Sequence, residues 1–167
     1  MFQPSSHSEP FIRGEDYPVS TSTTGLKLEN STHAAQRASA LSARYASEQQ
    51  KAAWLELYAD DAILEDPVGI SPLDPSGLGH RGREALSRFW DLVIAPGRMT
   101  YAIRESYPCG NECANVWTLT NTLPGNVLVT VDLVSIYKVN TQGKLVSMRA
   151  YWSYADVEQK LKTVIGA

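Results

Sequence analysis

The segment Leu57–Gly69 reads Leu-Tyr-Ala-Asp-Asp-Ala-Ile-Leu-Glu-Asp-Pro-Val-Gly and carries the strongest structural signal in the chain. The first residues of the segment are typical of the end of a helix, and the two adjacent aspartates are typical of a turn. Residues 62–66 are typical of a strand, which Pro67 ends. Neighbouring strand residues point to opposite faces, so either Glu65 or Asp66 must point towards the core. A carboxylate in an apolar interior is costly unless it has a partner or a chemical role. The segment therefore predicts a functional carboxylate at a strand end.

Helical periodicity surrounds this strand. Apolar residues recur at helical spacing over 33–47, 49–58 and 82–94, and each range predicts a helix. A loop rich in Pro, Ser and Gly, residues 71–79, connects the strand to the third helix.

The second half of the chain changes to strand-like alternation separated by turn residues. It predicts four strands and a closing helix, at 101–107, 113–122, 127–139, 144–154 and 156–164. Helices followed by an antiparallel meander indicate the α+β class, with three N-terminal helices packed on one face of a strongly curved, mostly antiparallel sheet.

The strand at 127–139 has two sets of alternating residues. Leu133 and Ser135 share one face, and Asp132 lies on the other. Both faces are mostly apolar, which predicts a strand buried on both sides. A bulge would shift this assignment by one residue.

Length and charge limit the function. A chain of 167 residues, 43% of them hydrophobic, suits a single domain. A net charge of −3 argues against nucleic-acid binding, and no apolar run reaches the ~20 residues of a membrane span. Residues 1–30 hold three prolines and a Ser/Thr run and predict an extension, which leaves 31–167 as the domain. Met1–Ser6 lacks the pattern of a secretory signal, so a cytoplasmic protein is expected.

Other motifs predict no cofactor. Gly77–Gly82 matches G-x-G-x-x-G, but no strand precedes it, which argues against a dinucleotide site. The three histidines lack metal-ligand spacing, so no metal is expected. Cys109 and Cys113 are expected to remain free thiols.

Segment 57–69 strongly resembles the ketosteroid isomerases, within the SnoaL-like and nuclear-transport-factor-2-like domains. Residues 82–90 resemble the third helix of that family, and 143–153 resemble its last strand. The resemblance covers roughly 31–154. It implies a cone-shaped α+β fold with an apolar pocket for a bulky small molecule, commonly in a homodimer.

The activity that the resemblance implies is the transfer of a proton next to a ketone, without a cofactor. Asp66 matches the base that removes the proton and returns it elsewhere on the dienolate. Tyr45 matches the donor to the oxyanion, if the loop after the first helix is about three residues shorter here. Tyr58 matches a supporting tyrosine, and Trp152 would line the apolar wall.

The chain departs from the family at two positions. Ser135 stands where the family has a protonated aspartic acid, so either the site holds a serine there or a bulge brings Asp132 inward. Trp90 stands where some members carry a tyrosine, and it is expected in the pocket with Leu133 and Met148. Other SnoaL-like chemistry (polyketide cyclisation, dehydration, epoxide hydrolysis) and non-catalytic ligand binding therefore stay open.

Overall fold

The computed structural model describes residues 25–123 and 126–165. Three of its helices and a π-helical turn precede the four long strands, and a fourth helix follows them. These helical elements are α1 (Ala34–Ser47), α2 (Lys51–Glu56), α3 (Gly82–Phe89), a π-helical turn (Trp90–Ile94) and α4 (Tyr154–Ile165). Within these two ranges, no helix is both long enough and apolar enough to cross a membrane.

Six strands form one curved, unclosed sheet in the order β2-β1-β6-β5-β4-β3. They are β1 (Tyr58–Glu65), β2 (His80–Arg81), β3 (Arg98–Cys109), β4 (Glu112–Leu123), β5 (Val127–Val139) and β6 (Leu145–Tyr151). All neighbours are antiparallel except β1 and β6. The predicted α+β class is confirmed, and α4 is the closing helix predicted at 156–164, beginning two residues earlier.

The third helix differs from the single helix predicted over 82–94. Its α-helical part ends at Phe89, and the chain continues as a π-helical turn. The backbone N–H of Ala95 donates to the carbonyl of Trp90 at 2.9 Å, which is the wider spacing of a π-helix.

Strand β1 contains a large irregularity just before the predicted carboxylate. Tyr58 lies opposite Leu145, whereas Ile63 lies opposite Ser147, so the chain bulges over residues 59–62. After the bulge the pairing is regular and ends with Glu65 opposite Arg149. The bulge fixes which face of the sheet the following residues occupy.

The expectation that β5 is buried on both faces is wrong. Its odd-numbered residues face the helices and are mostly buried, but Leu128 is 59% exposed and Val134 is 41% exposed. Helices cover only one face of the sheet, so the opposite face of β5 has no cover within the described chain. Apolar composition alone does not reveal whether a covering element exists.

The first described residues pack on the edge strand β3. Leu26 donates its backbone N–H to the carbonyl of Ile103 at 2.8 Å. Gly25 lies so close that a Cβ there would meet the Ile103 backbone nitrogen at 2.6 Å, so only glycine fits. The rest of the predicted extension, residues 1–24, lies outside the described residues.

Candidate active site

A cavity of about 290 Å³ lies between the helices and the inner face of the sheet. This volume is at the lower end of the ~300–1,000 Å³ that small-molecule sites occupy. Its wall is largely aliphatic and aromatic and includes Leu64, Val93, Leu119, Val131, Val157 and Leu161. Helix α4 supplies the last two, so it forms part of the enclosure. The cavity is suited to a mostly apolar ligand.

Asp66 and Glu65 separate to opposite faces at the end of β1. Glu65 pairs with Arg149, with 2.6 Å between its Oε2 and the guanidinium Nε, away from the cavity. Asp66 lines the cavity. The alternation predicted from the sequence is therefore present, and Asp66 is the inward carboxylate.

The Asp66 carboxylate has an apolar environment with a single side-chain hydrogen bond within the described residues. Trp152 donates its indole N–H to Oδ1 at 2.5 Å. Burial raises the pKa of Asp66 to about 6, and the indole N–H acts in the opposite direction by stabilising the ionised form. A carboxylate with this pKa is a stronger base than an exposed aspartate and is still ionised at neutral pH.

Two tyrosines that the sequence analysis did not select, Tyr101 and Tyr137, also line the cavity. Burial raises the pKa of both phenols far above the ordinary value, and the nearby charge of Asp66 raises it further. Tyr58 is buried but lies behind the wall. Burial raises the pKa of the Tyr58 phenol, and the nearby Tyr137 phenol raises it further. These phenols remain protonated at physiological pH and can act as hydrogen-bond donors.

Ser135, rather than Asp132, faces the cavity. Ser135 is 1% exposed and accepts a hydrogen bond from the indole N–H of Trp117 at 2.5 Å. Asp132 lies on the outer face, where it accepts from Thr118 at 2.7 Å and pairs with Arg104 at 3.4 Å. No bulge interrupts the pairing of β5 with β4, so the simple alternation holds and Asp132 is excluded from the cavity.

Tyr45 does not reach the cavity wall, contrary to the expectation for the oxyanion donor. Ser42 and Ala46 lie four residues apart on the stripe of α1 that lines the cavity. Tyr45 falls on a neighbouring stripe and packs, partly buried, against the core. Helix α1 runs unbroken to Ser47. Ser42 therefore takes the inward place one helical turn before Tyr45.

Three of the four expected pocket residues line the cavity: Leu133, Met148 and Trp152. Trp90 is buried behind the wall, with its ring centroid 5.3 Å from that of Trp54. The residues that face the cavity here are its neighbours Phe89, Leu92, Val93 and Ile94. Across the described residues, no group of three His, Cys, Asp or Glu side chains is arranged to hold a metal ion.

One signal for Tyr137 was present in the sequence. It lies two residues after Ser135 on the same face of β5, so the placement of Ser135 in the cavity also brings Tyr137 to it. Tyr101 and Ser42 carry no comparable signal, because their inward positions depend on how β3 and α1 pack.

Comparison with known proteins identifies the family. Residues 39–148 match the SnoaL-like domain family. A steroid delta-isomerase from Nocardioides simplex is 28% identical over 106 residues, which cover 64% of this chain and 79% of that protein.

Solved structures agree with this assignment. RV0760c from Mycobacterium tuberculosis is 35% identical, with a TM-score of 0.71 over 74% of this chain and 93% of that one. A second structure of RV0760c is a complex with estradiol-17beta-hemisuccinate. A delta 5-3-ketosteroid isomerase from Mycobacterium sp. is 33% identical (TM-score 0.70, covering 74% and 95%), and a computationally designed 17-OHP binder is 32% identical (TM-score 0.70, covering 74% and 95%). The chain thus belongs to the SnoaL-like domain family and is a ketosteroid-isomerase-like member of it.

Proposed function

We propose that this protein is a cofactor-independent isomerase that moves a proton next to a ketone in a steroid-like substrate, with Asp66 as the general base. The observation that carries the proposal is a cavity-lining carboxylate with a pKa of about 6 and an otherwise apolar environment. A base is most effective when its pKa lies near the working pH.

The proposed reaction consists of two proton transfers through the same carboxylate. Asp66 removes a proton from the carbon next to the ketone, and the electron pair of the broken C–H bond moves onto the carbonyl oxygen to give a dienolate. The Asp66 carboxylic acid then returns the proton to a more distant carbon, and the carbonyl is restored in conjugation. No electrons leave the substrate, so the reaction needs no oxidant or reductant.

The substrate class follows from the cavity and from the relatives. Apolar aliphatic and aromatic side chains form most of the wall, which suits a compact fused-ring compound. The similarity to a steroid delta-isomerase and to a protein solved with estradiol-17beta-hemisuccinate supports a steroid-like ligand.

The test is ultraviolet absorbance during incubation with 5-androstene-3,17-dione, which gains a conjugated enone on isomerisation. We expect the wild type to produce the band and Asp66→Asn to abolish it. Glu65→Gln is the matched control, because it neutralises the adjacent carboxylate on the opposite face and should retain activity within about twofold. Full turnover by Asp66→Asn would exclude Asp66 as the base.

A non-catalytic ligand-binding module is the second candidate. It is favoured by Ser135, which supplies no carboxylic acid to the cavity, and by the similarity to a designed 17-OHP binder. It predicts tight steroid binding by both the wild type and Asp66→Asn without turnover by either. Cyclase, dehydratase or epoxide hydrolase chemistry would instead appear as a different product when carbonyl and epoxide substrates are tested.

The proposed assembly is a homodimer. Val134 and Tyr151 lie opposite each other on neighbouring strands and are 41% and 40% exposed on the outer face of the sheet. Adjacent exposed apolar side chains of this kind are typical of contact surfaces between subunits.

A further inference from the structure

Two serine and two tyrosine hydroxyls lie close together beside the cavity, and an indole N–H donates to each serine. We call this the hydroxyl cluster; its members are Trp54, Tyr58, Ser42, Tyr137, Ser135 and Trp117. Ser42, Tyr137, Ser135 and Trp117 line the cavity, as Trp54 does, whereas Tyr58 lies behind the wall. The cluster offers polar groups in an otherwise apolar enclosure.

The cluster is closed at both ends by groups that only donate. The indole N–H of Trp54 donates to the Ser42 Oγ at 2.9 Å, and that of Trp117 donates to the Ser135 Oγ at 2.5 Å. An indole has no acceptor, so both serine oxygens must accept from these ends. The hydroxyl hydrogens of the two serines are therefore directed elsewhere.

The Tyr137 hydroxyl differs from the other three. Ser42 is 3.3 Å from the Tyr58 hydroxyl, whereas the structure shows no hydrogen bond between the Tyr137 hydroxyl and any described residue. Ser42 and Ser135 lie close enough to lower the pKa of its phenol. The Tyr137 hydrogen therefore has no acceptor within the cluster.

Other donors occupy the oxygen of the neighbouring Ser42. Tyr58 does not face the cavity, so its hydrogen is satisfied only by donation to Ser42. The Ser42 oxygen then accepts from Trp54 and Tyr58, which fills both lone pairs. Tyr137 itself lines the cavity, so its hydrogen is available to a ligand there.

We propose that Tyr137 is the catalytic oxyanion donor of this enzyme, with Ser42 and Ser135, whose hydroxyls lie beside its phenol, as positioning residues. This inference rests on the proposed isomerase function and assigns to a β5 tyrosine the role that the resemblance implied for Tyr45. The ligand group it would bind is the carbonyl oxygen of a ketone, which gains negative charge as Asp66 removes the proton.

Two features make Tyr137 suited to this role. Burial raises the pKa of its phenol, so it donates a hydrogen bond without losing the proton, while the Ser42 and Ser135 hydroxyls act in the opposite direction. A donor already oriented before the charge develops needs no reorganisation during the reaction.

The first test compares kcat and KM of Tyr137→Phe with those of the wild type. Loss of one oxyanion donor is expected to lower kcat by about 10²–10³-fold with KM changed less than about threefold. Tyr101→Phe is the matched comparison, because the Tyr101 phenol also faces the cavity but donates to the Met99 Sδ at 3.2 Å. Its loss of kcat should be at least about tenfold smaller.

The positioning residues have their own readout. Ser135→Ala removes a hydroxyl beside the Tyr137 phenol, so kcat should fall by less than in Tyr137→Phe and should recover in Ser135→Thr, which restores a hydroxyl. The double variant Ser135→Ala/Tyr137→Phe should be no slower than Tyr137→Phe alone. Fully additive losses would contradict a role through Tyr137.

A binding measurement separates failure of this inference from failure of the proposed function. The ligand is estradiol, a steroid with a phenolic oxygen in place of the dienolate oxygen. It is titrated into Asp66→Asn and into the double variants Asp66→Asn/Tyr137→Phe and Asp66→Asn/Tyr101→Phe. Of the two added substitutions, we expect only Tyr137→Phe to weaken binding, by about tenfold or more. Melting temperatures verify that each variant is folded.

The outcomes are distinct. Wild-type turnover with unchanged kcat in Tyr137→Phe would overturn the oxyanion assignment and leave the isomerase proposal intact. Absence of wild-type turnover would remove the isomerase proposal, and the estradiol titration would then decide: weaker binding by Tyr137→Phe retains Tyr137 as the oxygen-binding donor, and unchanged binding overturns it.

Discussion

Asp66 and Ser135 lie on either side of Ala150 on the inner face of the sheet. Glu65 pairs with Arg149 in parallel, which brings Asp66 beside Ala150, and Ala150 pairs with Ser135 on β5. Two strand spacings, about 10 Å, therefore separate the two backbones, and the small side chain between them leaves space for a ligand. The base and the hydroxyl cluster are thus placed to contact one ligand from opposite sides.

The pH profile of the activity should show a single ionisation at acidic pH. Because Asp66 must be ionised to accept a proton and its pKa is about 6, kcat/KM should be half-maximal near pH 6 and fall about tenfold per pH unit below it. Steady-state rates between pH 4.5 and 8 measure this. Asp60→Asn, which removes an exposed carboxylate in the bulge of β1, should give the same profile; an acid limb near pH 4 would contradict the raised pKa.

Trp152→Phe should move this acid limb to higher pH. The indole N–H stabilises the ionised carboxylate, so its removal raises the pKa of Asp66 above 6 while the plateau rate at high pH stays within a few-fold. Trp90→Phe is the matched control, since Trp90 lies behind the wall and should leave the limb near pH 6. A limb unchanged in Trp152→Phe would show that the hydrogen bond does not set the base strength.

Asp66→Asn should stabilise the protein at neutral pH. The pKa of Asp66 is raised from 3.8 to about 6 on folding, so its charge costs stability fully above pH 6, and the cost disappears as the pH falls below 3.8. At about 1.4 kcal/mol for each pKa unit, the gain at pH 8 is at most about 3 kcal/mol. Asparagine keeps an oxygen for the Trp152 indole, so that bond is not lost.

Denaturant unfolding at pH 8 and pH 4.5 measures this gain. It should fall by more than half at the lower pH, whereas Asp61→Asn, at an exposed position in the bulge of β1, should show little change at either pH. A gain that grows on acidification would be inconsistent with a buried, destabilised carboxylate.

Helix α4 should contribute to ligand binding rather than to chemistry. Leu161 lines the cavity from this helix, so Leu161→Lys places a charge in the apolar wall and should raise KM about tenfold, or about 1.4 kcal/mol, with kcat nearly unchanged. Lys160→Ala alters the exposed side of the same helix and serves as the control. A large fall in kcat with unchanged KM would assign α4 a different role.

Val134→Glu should disrupt the proposed homodimer. A charge at this exposed apolar site on the outer face would have to be buried between subunits, which is unfavourable. Sedimentation velocity should show a shift from dimer to monomer, while Asp132→Asn, at an exposed polar site nearby, should remain dimeric. A wild type that sediments as a monomer at high concentration would remove the dimer proposal.

The alternation of side chains along a strand was sufficient to predict the site residues whose position depends on a single strand. Alternation in β1 and the proline after it identified Asp66, and the same alternation in β5 separated Ser135 from Asp132. The predicted bounds of the four strands in the second half of the chain are also close to the observed ones, because turn residues with special backbone preferences lie between these strands.

Features that depend on packing between elements were not accessible from the sequence. The choice between Ser42 and Tyr45 depends on the angle at which α1 meets the sheet and on the length of the connection to α2. Tyr137 lies among the apolar residues of β5 and reads in the sequence as an ordinary core position. Its proposed role emerges only from its place in the cavity beside residues of α1 and β4. The one-sided cover of β5 likewise depends on the number of layers in the fold.

The parallel pairing of β1 with β6 also affects the order of folding. Asp66 and Trp152 are 86 positions apart in the sequence, and every strand of the meander lies between them. Contacts of such long sequence separation carry a large loop-closure entropy and tend to form late, after the local hairpins of β3, β4, β5 and β6. The general base therefore becomes buried, and its basicity increases, at one of the final steps of folding, so an incompletely folded chain carries Asp66 as an ordinary, weakly basic aspartate.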